Sequence, residues 1–77
     1  MWQEKDKELY REFKFPDFKE AFGFMSQVAE AAEAMDHHPR WTNEYNKVEI
    51  WLSNHSEGQV TNKDRQLAAV IDTIYGH

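Results

Sequence analysis

Residues 15–41 read FPDFKEAFGFMSQVAEAAEAMDHHPRW, and the two prolines bracket one helix. Pro16-Asp17 punctuates the chain. Asp17 and Glu20 form a D-x-x-E pattern, in which the first carboxylate can accept from the free N–H groups of the opening turn. Phe18, Phe22, Met25, Ala29 and Ala32 then recur at three- and four-residue steps, joined by Ala21 and Val28. That spacing predicts an amphipathic helix to about Met35. Pro39 ends it, because the residue before a proline is pushed out of helical geometry. Asp36, His37 and His38 therefore fall at the carboxyl end of the helix and in the turn beyond it.

On the amino-terminal side, Leu9, Arg11, Phe13 and Phe15 alternate with Tyr10, Glu12 and Lys14. Alternation rich in aromatics predicts a strand, and residues 2–5 pair with it across a turn near Asp6-Lys7. On the carboxyl-terminal side, residues 41–45 and 47–54 predict a hairpin turning near Asn46. In its second arm Val48, Ile50 and Leu52 face one way, and Glu49, Trp51, Ser53 and His55 the other. Residues 56–60 read as a loop containing Gly58. Thr61 and Asp64 give a second capping pattern, and Leu67, Val70, Ile71 and Ile74 stripe a closing helix. The order is β-β-α-β-β-α. It predicts an α+β two-layer sandwich, a four-stranded antiparallel sheet with its helices on one face.

Composition narrows the function. A chain of 77 residues buries only roughly 60% of its unfolded surface. It has no cysteine to staple it, which suits a reducing cytoplasm. Small unstapled scaffolds often gain stability by self-association, and three Trp, three Tyr and five Phe offer the surface for it. A net charge of −5 argues against direct nucleic acid binding, which needs clustered Lys and Arg. No run of apolar residues is long enough to span a membrane, and MWQEKDKELY is too polar for a secretory signal. The expected location is cytoplasmic.

DHHPRW, residues 36–41, concentrates the chemistry. Imidazole exchanges protons near neutrality, its unperturbed pKa being about 6.5, and a helix carboxyl end favours the protonated ring. Glu33 lies four residues before His37 and shares its face if the helix persists that far. His55, at the end of the hairpin, would bring a third imidazole. Three readings stay open: rings that cap the helix in solvent, metal ligands drawn from Glu33, His37 and His55, or an acid/base pocket. The metal reading lacks the H-E-x-x-H spacing that clamps one ion. Asp64 can be a cap alone, Trp41 a core residue or a stacking wall, and Glu30, Glu33, Asp36 and Glu44 a solvated acidic face. His77, at the terminus, is expected to be inert.

These residues resemble the pterin-4a-carbinolamine dehydratase family. Glu33, His37, His38, Pro39, Tyr45, His55 and Asp64 match its pattern, with gaps of three, five, nine and eight residues. FKFPDFKEAFGFM, YNKVEIWLSNH and TNKDRQLAAVID look like its flanks, so the resemblance covers nearly the whole chain. It departs in two places. The expected domain spans residues 1–77 without the helix that members usually carry ahead of the tryptophan matched by Trp2. The loop SEGQVTNKD keeps only Gly58 of the usual paired glycines, with Lys63 where some members have arginine.

The resemblance implies a hydro-lyase that removes water from a 4a-hydroxytetrahydropterin to give quinonoid dihydropterin, in tetrahydropterin recycling, with no metal or cofactor. It implies that His37, His38 and His55 are catalytic, with His38 and His55 the leading proton-transfer groups. Glu33, Asp36, Pro39, Trp41 and Asp64 would hold or shape the substrate site. It also implies a homodimer or homotetramer. Two other readings go with it: a protein-binding module that stabilises a partner's dimer, as coactivator members do, and an inactive paralogue.

Overall fold

A computed structural model describes residues 1–76; His77 lies outside the described residues. The elements are β1 (Gln3–Lys5), β2 (Glu8–Lys14), α1 (Phe18–Met35), β3 (Arg40–Glu44), β4 (Lys47–Leu52) and α2 (Asn62–Tyr75). The strands form one antiparallel sheet in the order β1-β2-β4-β3. This is the predicted β-β-α-β-β-α sandwich. Each hairpin turns on left-handed residues, Asp6 and Lys7 at φ 55° and 65° and Tyr45 at φ 51°, the backbone geometry that matches the twist of a tight hairpin.

Register decides the two faces. Leu9 pairs with Leu52, Arg11 with Ile50 and Phe13 with Val48, and Trp41 also pairs with Ile50, so these side chains share the face covered by the helices. Phe13 is at its centre, with the rings of Phe24, Tyr75 and Trp2 at 4.9, 5.0 and 5.8 Å. Arg11 crosses that face to Asp72 at 2.6 Å, where the indole N–H of Trp2 also donates at 2.9 Å. The opposite face is open. There the Tyr10 hydroxyl donates to Glu49 at 2.7 Å. Sharing that hydrogen bond holds the Tyr10 pKa up to about 12 and lowers that of Glu49.

Three expectations need correction. The buried stripe of α1 is Ala21, Phe24, Val28 and Ala32, whereas Phe18 and Phe22 are 48% and 56% exposed. The helix carries two apolar stripes about one residue apart in rotation, and the sheet can cover only one. The stripe with alanine at both ends lets the helix approach closely and seats Phe24 beside Phe13 and Phe15. On α2 it is Ala68, with Leu67 and Ile71, that is buried, and Val70 faces outward. Finally, β4 stops at Leu52, so His55 stands in a turn and not at the end of a strand. The side-chain oxygen of Asn54 accepts from the N–H groups of Ser56 and Glu57 at 3.0 and 3.2 Å, local bonds that compete with continuing the ladder.

Candidate active site

The last turn of α1 sets the site. The His37 N–H reaches back to Ala32 O at 3.0 Å and the Asp36 N–H to Glu33 O at 3.1 Å, with Asp36 left-handed at φ 52°. These paired bonds form a Schellman motif. Asp36 takes the place where glycine is usual; a short polar side chain is the tolerated substitute. The reversal separates the two neighbouring histidines. His37 turns inward, its side chain 11% exposed, while His38 stays outward at 59%.

His37 meets the start of α2. Its Nε2 hydrogen bonds to Oδ1 of Asp64, the third residue of that helix and 0% exposed. The other oxygen, Oδ2, accepts the Thr61 N–H at 2.9 Å. One buried carboxylate thus caps α2 and fixes the His37 ring. A charge without solvent is tolerable here because both oxygens are bonded and the amino end of a helix favours an anion. Among the described residues no buried side-chain N or O lacks a partner. An ionised carboxylate can only accept, so Nε2 of His37 carries the proton, and a neutral ring keeps Nδ1 as an acceptor. The same logic applies to His38, whose Nε2 lies 2.9 Å from Oε1 of the exposed Glu33.

The expected pairing of Glu33 with His37 is therefore corrected: Glu33 takes His38, and His37 goes to Asp64. The four-residue relation holds only while the helix continues, and it stops at Met35. The two carboxylates serve different rings. Among the described residues no three His, Asp or Glu side chains gather as metal ligands would.

A cleft of about 390 Å³ opens between these elements. The turn after α1 contributes Asp36, His37, His38 and Pro39; the segment after β4 contributes Ser53, Asn54, His55 and Ser56; α2 contributes Lys63. All three candidate histidines thus line one cavity, with Asp36 and Pro39. Asp64 stands behind His37, and Glu33 backs His38. Trp41 lies on the helix-covered face of β3, packed against the core, outside the lining. Ser53, Asn54 and Ser56 were not among the expected site residues. The only signal for them was their position around His55, just past the point where apolar alternation stops. A larger concavity of about 620 Å³, with Lys14, Phe15, Lys19 and Tyr75 in its wall, contains no histidine.

The chain is similar to known proteins along most of its length. Residues 1–74 match the model of a family described as pterin 4 alpha carbinolamine dehydratase. A protein of Paraburkholderia xenovorans is 59% identical over 66 residues, which are 86% of this chain and 69% of the relative. One from Rhodospirillum rubrum is 56% identical over 68 residues, 88% of this chain and 71% of the relative. Both carry the provisional name pterin-4-alpha-carbinolamine dehydratase. The crystal structure of a transcriptional coactivator/pterin dehydratase from Brucella melitensis superposes with a TM-score of 0.94 at 48% identity, covering 97% of this chain and 82% of that one. A pterin dehydratase-like protein identified as a RuBisCO assembly factor in the alpha-carboxysome shares the fold, with a TM-score of 0.81 at 23% identity over 99% of this chain and 88% of that one.

Proposed function

The chain belongs to the pterin 4 alpha carbinolamine dehydratase family, and from that premise we propose that its cleft binds a 4a-hydroxytetrahydropterin and eliminates water from it. The observation that carries the reading is the meeting of His37, His38 and His55 in one cavity, two of them bonded to carboxylates. The elimination needs a base to take the N5 proton and an acid to protonate the 4a-hydroxyl. The C4a–O bond breaks and water leaves with its electron pair. The pair from the N5–H bond closes the N5=C4a double bond of the quinonoid dihydropterin. Every atom is accounted for without a redox partner.

The three rings are suited to different tasks. His37, anchored to buried Asp64, is the one held in a fixed orientation and serves to position the substrate. His38 and His55 reach solvent and can reset their protonation between turnovers, so they are the proton-transfer groups. Each such group contributes roughly 10²–10⁴-fold. Asp36 and Pro39 shape the wall. The test is the decay of freshly generated 4a-hydroxytetrahydropterin at neutral pH, followed by absorbance, with native protein, with a His37→Ala/His38→Ala variant and with buffer. Acceleration by the native chain alone supports the reading. No acceleration by folded native protein removes it.

A second reading rests on the neighbouring, exposed rings of Phe18 and Phe22, 5.9 Å apart on the outer side of α1. Adjacent exposed aromatics suit a protein contact. They fit assembly into a homo-oligomer, or a coactivator role of the kind named for the Brucella melitensis relative. Location in the cytoplasm belongs to the same proposal. Among the described residues no helix is long and apolar enough to cross a membrane.

A further inference from the structure

His37 and His38 each have a carboxylate partner, but His55 has no hydrogen-bond or ionic partner among the described residues. Its side chain is exposed and lines the cleft. A ring with no side-chain tether takes its position from the backbone beneath it, and that backbone is organised by one residue. Five hydrogen bonds converge on Asn54. Its N–H donates to Gln59 O at 3.0 Å, and its carbonyl accepts from the N–H groups of Gly58 at 2.7 Å and Glu57 at 3.1 Å. Its side-chain oxygen accepts from the N–H groups of Ser56 at 3.0 Å and Glu57 at 3.2 Å. Asn54 also bridges to Gln59 across the loop. His55 is thus the first residue of a turn whose two sides are closed by its predecessor.

We infer that Asn54 is a positioning residue for His55, its side-chain oxygen locking the turn that presents the imidazole to the cleft. The backbone bonds alone close the loop at residues 57–59; only the side chain holds the N–H of Ser56, immediately after His55. Asparagine suits the task because its amide oxygen reaches the N–H two residues on. The inference rests on the dehydratase reading only where the test measures rate.

The test compares native protein with Asn54→Ala and Asn54→Asp, by amide hydrogen exchange and histidine NMR together with the dehydration assay. In native protein the Ser56 N–H is protected although its residue is exposed. In N54A its exchange speeds up by about five- to tenfold, the worth of one ordinary hydrogen bond, while the Gly58 N–H, bonded to the backbone carbonyl, changes little. His55 ring signals shift or broaden, and those of His37 and His38 stay in place. The rate constant kcat falls roughly 10- to 100-fold, as expected of a misplaced catalytic group, with KM little changed. N54D keeps the acceptor and restores the Ser56 protection, the His55 signals and most of kcat.

An unprotected Ser56 N–H in native protein overturns the inference. So do unchanged Ser56 exchange and His55 signals in N54A, even if the rate falls, since Asn54 would then be acting directly on the substrate. Equal disturbance of all three histidines also overturns it, because the effect would be general loosening. If native protein does not accelerate dehydration, the dehydratase reading fails, and the exchange and ring signals still decide the role of Asn54.

Discussion

Asp64 and His37 should be coupled by an energy large enough to measure in unfolding. Asp64 is fully buried, with Oδ1 bonded to His37 Nε2 and Oδ2 to the Thr61 N–H. In Asp64→Asn only one oxygen remains to accept. Either the helix cap or the His37 bond is lost, and the new NH₂ faces a donor. A net hydrogen bond to a charged group is worth about 1.5–3 kcal/mol, and a buried donor left unmatched costs about 1–3. Loss of about 3 kcal/mol is therefore expected. That is a large share of the roughly 4–12 kcal/mol typical of a chain this long. His37→Leu alone leaves the carboxylate with one partner fewer and should cost about 1.5–3 kcal/mol. The double variant should cost less than the two singles together, because the mismatch each single creates is gone. The difference, about 1.5–3 kcal/mol, is the coupling energy. Urea unfolding at neutral pH, read by the fluorescence of Trp2, Trp41 and Trp51, gives all four corners. The D64N midpoint should fall by about 3 M if the slope is about 1 kcal/mol per molar urea. Repeating the series at two protein concentrations separates association from folding. Additive singles, with coupling below about 0.5 kcal/mol, would refute the pairing and with it the claim that Asp64 fixes the His37 ring.

Other outcomes follow from the same geometry. His38→Ala should slow dehydration by roughly 10²–10⁴-fold. Glu33→Gln should cost less than about tenfold, because an exposed ion pair is worth only about 0–1 kcal/mol; equal losses in steady-state kinetics would contradict this. Tyr10→Phe should destabilise by about 0.5–1 kcal/mol near neutrality, the bond facing solvent. Because the folded Tyr10 pKa is raised, the stability gained is complete below the unfolded value of 10.0 and lost as pH rises towards about 12. Because that of Glu49 is lowered, its share is present above 4.5 and lost as pH falls through the depressed folded value. Urea midpoints across pH should show Y10F shrinking both limbs, and an unchanged profile would contradict the linkage. Phe13→Ala, at the centre of the core, should cost about 3–5 kcal/mol, leaving little native signal in circular dichroism. Phe18→Ser with Phe22→Ser should leave the unfolding midpoint of the isolated chain within about 0.5 kcal/mol while reducing mass in sedimentation; an unchanged mass would show that these rings make no contact between copies.

The architecture was legible because each element carries its own period and its own punctuation. The alternation of Leu9, Phe13, Val48, Ile50 and Leu52 has one solution, and the register puts all of these on the covered face. Asp17 does cap α1, accepting the Glu20 N–H at 2.9 Å. What stayed hidden was rotation. Phe18–Phe22–Met25–Ala29 and Ala21–Phe24–Val28–Ala32 are both good apolar stripes. Only the shape of the sheet, with Phe13 waiting for Phe24, chooses between them. At the site, residue types were legible and partners were not. Glu33 four residues before His37 is a correct count on a helix that ends too soon, and Asp64 lies far along the chain, so no local pattern pairs it with His37. Asn54 was marked only by its place beside His55, and no local pattern showed that its side chain would close a turn there.

The placement of Asp64 links the two halves of this account. It is the one buried charged or polar side chain among the described residues, in a core otherwise of aliphatic and aromatic groups. A small core has little stability to spare, so a buried charge there must be bonded on every side. Here the cap at Thr61 satisfies one oxygen and His37 the other. The residue that starts α2 thereby orients a ring at the end of α1, and the same contact joins the two helices at the mouth of the cleft. Folding and site geometry then share one bond. A variant that breaks it should lose stability and His37 placement together, whereas removal of His38 or His55, both exposed, should disable the chemistry and leave the fold standing.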